Sequence, residues 1–443
     1  MFAMPPTMIT MQDAQWVEHH PISSLTSSAP IEFEIKGQTE EYIDLNNSYL
    51  YLKVKVLRKD DNDVGNNDRV APVNNFMHAL FNEVDLYLNN KLVSSSTDTY
   101  PYRAYLENLL TYGKEAKNTH LDACVVWKPD TRGAFNDITL TKKETVVVTG
   151  KVGVAEKEAN VETGTNALNT GFDDRQKKIR RGRSLELMDR LHLDMWLQDQ
   201  YLLNGVDVRL RLNRSISVFY LMAHVGDYKT IIEEARLYVR QVNVLPKVSN
   251  DISQTLSRTT AKYPIRRVEV KTFTIATGLR AKIKDHVFQG QLPKRLFMGI
   301  ISNEAFNGPI TASPFQFEHY SVSKIEVTRD GQTLCTRPFE PNFAQKNYLR
   351  SYLSLFEATG QLGTNNTHGI SYEDYAGGYA LWGFDFTPDQ GSDEGHFHPI
   401  KAGQLRVELQ FLHPLPNTVN VILYAEFDNT LEVNSLREVI LDY

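Results

Sequence analysis

NEVDLYLNNKLVSSSTDTYPYRAYLENLLTYG, residues 82–113, sets a hairpin directly before a helix. The hairpin is EVDLYLNNKLV, with Asn89-Asn90 as its two-residue turn and strand-forming residues on both sides. After Pro101 the period changes. Tyr102, Tyr105, Leu106, Leu109 and Leu110 fall at i, i+3, i+4, i+7 and i+8, which is one apolar stripe of a helix over 102–112. Pro101 suits the first turn of that helix, and Gly113 suits the position just past its end.

The same unit returns downstream as SKIEVTRDGQTLCTRPFEPNFAQKNYLRSYLSLFEATG, residues 323–360. Its hairpin turns at Asp330-Gly331. Its helix, over 348–358, carries Leu349, Tyr352, Leu353 and Phe356 as the stripe. Tyr105-Leu106 and Tyr352-Leu353 are 247 positions apart, as are Gly113 and Gly360. The hairpins match at a spacing of 241, Val84 with Ile325 and Leu86 with Val327. NGVDVRLRL near the end of the first half pairs with AGQLRVELQ in the second. Alternation alone is common to all β-domains. A shared serial order of strand, hairpin, helix and returning strand points to two like folds.

Around these anchors, IEFEIKG (31–37) and SYLYLKVKVLR (48–58) alternate as strands. The latter puts Leu50, Leu52, Val54 and Val56 on one face and Tyr49, Tyr51, Lys53 and Lys55 on the other. ETVVVTG (144–150), LHLDMWL (191–197) and EEARLYVRQVNVL (233–245) also read as strands, and residues 151–183 as a long polar loop. The later strands are RRVEVKTFTI, LPKRLFMGIIS, GYALWGFDF, GQLRVELQF and NVILYAEFDNTLEV. Many short strands, long connections and few helices predict an all-β protein. The expected architecture is two tandem eight-stranded antiparallel jelly rolls, each with a flanking helix. The expected division is an unpatterned N-terminal arm at 1–29, a first jelly roll at 30–245, a linker at 246–264 and a second jelly roll at 265–443.

The chain-wide numbers agree with two β-domains. The 443 residues exceed one ordinary domain, and an apolar fraction of 41% with 10% aromatics supplies two cores. A net charge of -6 argues against a surface that coats nucleic acid throughout. No apolar run approaches the ~18 residues of a membrane span, and the first residues lack a signal-peptide pattern. Two cysteines fit a reducing compartment and do not make a disulfide scaffold.

Three stretches invite a chemical reading. DEGHFHPI places His396 and His398 two apart, so that on a strand both imidazoles share a face. A metal needs further ligands, however, and the expectation is a polar loop with no metal and no cofactor. RQKKIRRGR (175–183) holds six basic residues in nine. Lys177, Lys178, Arg180, Arg181 and Arg183 are its candidate contacts to nucleic-acid phosphates or to a neighbouring subunit, without the interleaved aromatics that read bases. FDFTPDQGSDEG offers Asp385, Asp389, Asp393 and Glu394, at spacings that match neither a Ca²⁺ loop nor a glycosidase pair. No nucleophile elbow, phosphate loop or His-Glu-x-x-His occurs, so the chain reads as a structural protein, not an enzyme.

The segments PVNNFMHALFNEVDLYLNNKLVSSSTDTYPYRAYLENLLTYGKEA (72–116) and LHLDMWLQDQYLLNGVDVRLRLNRS (191–215) resemble the first-domain signature of the major capsid proteins of Polinton/Maverick elements and adintoviruses. LPKRLFMGIISNEAFNG (292–308), PFQFEHYSVSKIEVTRDG (314–331) and ILYAEFDNTLEV (422–433) resemble the second domain of that family. The resemblance implies a double jelly-roll protein that forms homotrimers of pseudo-hexagonal outline, tiling an icosahedral shell around double-stranded DNA. It also implies a separate single jelly-roll penton protein at the vertices and a place in the virion. The rival expectation is an extracellular carbohydrate-binding or carbohydrate-cleaving β-sandwich, which calls for an aromatic-lined cleft and paired carboxylates.

Overall fold

The computed structural model describes residues 10–26, 28–66, 68–95, 97–139, 168–288, 290–333 and 337–441. The first half contributes β1 (Met11–His19), β2 (Ile31–Ile35), β3 (Glu41–Arg58), β4 (Val70–Pro72), β5 (Phe81–Leu88), β6 (Lys91–Leu92), β7 (Leu185–Asp189), β8 (Val208–Arg214), β9 (Leu221–Ala223) and β10 (Tyr228–Val244). The second contributes β11 (Ala261–Ile275), β12 (Ala281–Lys284), β13 (Arg295–Ser302), β14 (Val322–Arg329), β15 (Gln332–Thr333), β16 (Leu381–Asp385), β17 (Leu405–Phe411), β18 (Val419–Val433) and β19 (Val439–Leu441).

Each half is a jelly roll of two four-stranded antiparallel sheets. In the first, the orders are β1-β10-β3-β7 and β2-β8-β5-β6; in the second, β11-β18-β13-β16 and β12-β17-β14-β15. The two halves are therefore the same topology written twice, with β4-β9 and β19 as additions. Register repeats as well. Val84 and Leu86 face Leu212 and Leu210, while Ile325 and Val327 face Leu409 and Val407. Both hairpin turns have two residues of positive φ, Asn89 (47°) with Asn90 (65°) and Asp330 (50°) with Gly331 (80°). That is the turn whose twist matches paired strands, and Asn, Asp and Gly reach it at least cost.

The cores follow from alternation. Leu50, Leu52, Val54 and Val56 of β3 are buried opposite Ile31, Phe33 and Ile35 of β2 and Val208, Leu210 and Leu212 of β8. Each such side chain contributes about 1.5–3 kcal/mol on burial.

Several expectations change. The segment expected to be an unpatterned arm supplies β1, an edge strand paired along its length with β10. The expected linker holds a helix at Pro246–Leu256, begun by Pro246 at its first turn, and β11 starts within it at Ala261. LHLDMWL is not a strand. It turns through a 3-10 helix at Asp194–Trp196, because Met195 and Trp196 are both buried and break the alternation. The expected loop 151–183 contains a helix at Thr170–Ile179, capped by Asn169, whose side chain accepts from the Phe172 N–H at 3.2 Å. The strand expected at 144–150 lies outside the described residues. The two flanking helices stand at Tyr100–Thr111 and Leu349–Ala358.

Candidate functional site

Long strands give this protein two extended sheet faces, and the halves use them differently. In β18 every residue from Val419 to Asn429 is buried, on both faces of the strand. In the middle of its counterpart β10 only one face is buried: Ala235, Leu237 and Val239 point to the core, and Arg236, Tyr238 and Arg240 do not.

What covers the second sheet is the first half. Ser95 and Thr99 each donate to β11, to the Val268 and Val270 carbonyls at 3.3 Å. The helix Tyr100–Thr111 then inserts aromatic rings. Tyr105 stacks on Phe315 with centroids 4.2 Å apart, and Tyr102 stacks on Phe306 at 5.6 Å. Arg103, buried beside them, pairs with Asp194 at 2.7 Å and Glu107 at 2.9 Å. Glu107 also accepts from the Tyr424 hydroxyl at 3.1 Å and meets His192 at 2.5 Å. Burial by itself raises the Glu107 carboxyl, but the Arg103 guanidinium and the His192 hydrogen bond outweigh it and hold it at about 2. Beside this network Lys117 donates to the Leu109 and His368 carbonyls, one from each half, at 2.6 Å, and burial brings its amine down to about 7.

The corresponding face of the first sheet has no such cover among the described residues. Trp16 of β1, Tyr49 and Tyr51 of β3, Met188 of β7 and Tyr238 of β10 line one open groove. Trp16 is 56% exposed and Met188 37%. Tyr51 and Tyr238 meet edge to face at 6.4 Å; Arg236 lies over Tyr51 at 6.0 Å and Arg240 over Trp16 at 5.2 Å. These aromatics sit on the face that carries Tyr49, Tyr51, Lys53 and Lys55 in the alternation of β3.

The second-half helix is the matching piece. Its most buried residues are not the expected stripe but Ser351, Ser354, Leu355 and Ala358. Small side chains let it lie directly on β16, where Gly383 donates to the Ser354 hydroxyl at 3.1 Å and a methyl group at Gly383 would collide with Ala358. Tyr352, Leu353 and Phe356 are therefore only half buried and Leu349 is 58% exposed. At the 247-residue spacing, Leu349 and Arg350 correspond to Tyr102 and Arg103, the pair that docks inside the chain.

The basic stretch is dispersed. Arg175 is fully buried, pairing with Asp130 at 2.5 Å and donating to the Pro72 carbonyl at 2.7 Å. Lys178 pairs with Asp122 at 3.0 Å and Arg180 donates to Gln176 at 3.1 Å. Lys177, Arg181 and Arg183 are exposed, with Lys177 bound to Asp174 at 2.7 Å. The acidic and histidine candidates converge instead: Asp389 stands against His396 and His398.

A cleft of about 700 Å³ opens between the halves, with Glu107, Arg266, Arg295, Phe297, His396 and Glu426 in its lining. Glu426 pairs with Arg295 at 2.7 Å; despite its burial, that guanidinium keeps the carboxyl below its ordinary range. Glu107 is lowered too. A glycosidase acid requires the opposite shift, so these two carboxylates do not supply it. Among the described residues no helix is long and apolar enough to cross a membrane.

No protein-family model matches the sequence. An uncharacterised protein of Caenorhabditis elegans, F54H12.2, is 26% identical over 455 residues, covering 99% of both chains. Among solved structures, a chain of the Sputnik virophage superposes with a TM-score of 0.58 at 11% identity, over 99% of this chain and 90% of that one. The Faustovirus major capsid protein gives 0.56 at 9% identity over 97% and 91%, and the mavirus major capsid protein 0.52 at 10% over 100% and 92%. The fold is the double jelly roll of these viral proteins, as the sequence resemblance implied.

Proposed function

We propose that this chain is a major capsid protein, of the Polinton/Maverick and adintovirus kind, which closes into homotrimers that tile an icosahedral shell. The observation that carries the reading is the mismatch between two equivalent sheet faces. The second sheet's outer face is covered by the first half of the same chain. The first sheet's outer face, centred on Trp16, Tyr51 and Tyr238, is uncovered among the described residues. The second-half helix meanwhile leaves Leu349 exposed, with Arg350 beside it lying over Phe339 of its own half. If the second half of one copy covers the first sheet of the next, as the first half covers the second sheet within a chain, one interface is used throughout. Three chains then close a ring of six jelly rolls. Such a ring fills a nearly six-fold lattice position, with a single jelly-roll penton protein left for the vertices. The role is structural and the location the virion. Lys177, Arg181 and Arg183 are the exposed cations offered to packaged double-stranded DNA or to a neighbouring capsomer.

Light scattering on the purified chain tests this. A mass near three times 50.6 kDa is expected. Tyr51→Glu and Leu349→Asp, on opposite sides of the contact, should each return the mass to that of a monomer without lowering its melting temperature. A wild-type monomer at all concentrations, or trimers indifferent to both substitutions, would overturn the proposal.

A further inference from the structure

The loop between β16 and β17 brings together two groups that lie apart in sequence. His396 Nε2 and His398 Nε2 are 3.1 Å apart. The Asp389 carboxylate reaches both, Oδ2 to His396 at 3.0 Å and Oδ1 to His398 at 2.8 Å. Three donor groups thus converge on one point. Two imidazoles bound tetrahedrally to one ion at ~2.0–2.1 Å would hold their nitrogens about 3.3 Å apart, close to the spacing seen.

The groups behind the ring atoms support the same reading. His396 Nδ1 lies 3.2 Å from Glu394, and His398 Nδ1 faces Asp428 at 3.8 Å. Asp428 also accepts from the His398 backbone N–H at 3.2 Å and is held by Lys294 at 2.7 Å. A carboxylate behind each imidazole favours the proton on Nδ1 and frees the Nε2 lone pair for the shared point. The Gly391 N–H donates to Asp389 Oδ1 at 3.2 Å and steadies the third donor. His396 and Asp389 are each about half exposed, with side chains 47% and 48% accessible, so water can reach a fourth position.

We infer that Asp389, His396 and His398 form a binding site for a borderline divalent transition-metal ion of the Zn²⁺ class. Two nitrogens and one carboxylate suit Zn²⁺ or Co²⁺, whereas Ca²⁺ and Mg²⁺ take oxygen donors. The ion clamps the 386–404 loop, and through His398 fixes that loop to Asp428 on β18, at the rim of the cleft between the halves. This is a structural staple, independent of how copies assemble.

The test uses the full chain, stripped with a chelator and dialysed. Titration with Co²⁺ is expected to give the visible bands of a four-coordinate site at one ion per chain, displaced by Zn²⁺, and Zn²⁺ should raise the melting temperature. His396→Gln and His398→Ala should each abolish the bands while keeping the wild-type melting temperature in chelator. Glu394→Gln should weaken binding by about 10–100-fold. A proton shared between the two rings would produce the same convergence without a metal. Absence of Co²⁺ bands, bands of six-coordinate Co²⁺, or binding unchanged in both histidine variants would overturn the inference.

Discussion

The helices Tyr100–Thr111 and Leu349–Ala358 hold the same place in their jelly rolls, after the short hairpin and before the next strand of the opposite sheet. Yet the first is buried nearly all round, and the second leaves Leu349 58% exposed, with Arg350 at the surface donating to the Arg337 and Pro338 carbonyls. Tyr105-Leu106 and Tyr352-Leu353 are the same dipeptide at the same helical position, but Ser351, Ser354 and Ala358 set the second helix flat on β16 and leave that stripe to one side. The partners differ as well. The first helix has the second jelly roll against it; the second lies on β16 of its own half. Within the chain the duplicated fold thus carries one covered copy of a sheet face and, among the described residues, one exposed copy.

The comparison can be broken by substitution at equivalent positions. Arg103→Met leaves Asp194 and Glu107 as buried charges without a cation and should cost about 3–5 kcal/mol. Arg350→Met loses exposed hydrogen bonds to the Arg337 and Pro338 carbonyls and should cost about 1 kcal/mol or less. Thermal unfolding of the isolated chain measures both, and equal costs would refute the contrast.

Acid acts on this network and on the buried Lys117 and His368 near it. Glu107, held at about 2 against an ordinary 4.5, contributes stability above pH 4.5 that is lost as pH falls towards 2, on the order of 3 kcal/mol in full. His368, lowered to about 4 from 6.5 by burial and then by the Lys117 charge, adds an earlier loss between pH 6.5 and 4, because the unfolded chain takes up that proton first. Lys117, at about 7 against 10.5, acts in the opposite window. Between those values the unfolded chain holds the extra proton, so stability should rise with pH. Melting temperature against pH should show both slopes. Glu107→Gln should flatten the acid limb and Lys117→Met the alkaline one.

Smaller effects sharpen the picture. Tyr105→Leu, which removes the ring stacked on Phe315, should cost about 2–3 kcal/mol, and Tyr352→Leu about 1. The helix-end glycines divide in the same way. Gly360 has φ 65° and a Cβ there would strike Asp393, so Gly360→Ala should cost about 1–2 kcal/mol. Gly113, expected to play the same part, has φ −75° and instead precedes the next helix. Gly113→Ala should cost well under half as much in the same melting experiment.

Much of the fold was legible because its signals are local. The hairpin turns, the two helices, the alternation in β3 and the 241- and 247-residue spacings all rest on periodicity within a few residues. The misses have one cause in common. Met11–His19 is an edge strand whose residues are mostly exposed, so it has no apolar face to announce it, and only the ladder to β10 makes it a strand. Thr170–Ile179 looks like a polar loop because its buried face includes Arg175 and Gln176. Their burial is tolerable only through hydrogen bonds to Pro72, Asp130 and Asp68, more than forty residues away. The spacing of His396 and His398 pairs the two imidazoles, but Asp389 reads as part of an acidic loop, and only the loop's fold brings it to them.

A duplicated all-β protein with two hairpin-and-helix units, and the apolar face of most strands, can be read from the residues alone. Those properties follow from side-chain period and turn chemistry, which act over short range. Which second face is covered, where the charges of the junction are neutralised, and that Asp389 meets His396 and His398 emerge with the packing of the folded chain. Those outcomes depend on which distant segments come to share a surface, and burial, charge pairing and ligand geometry exist only once they do.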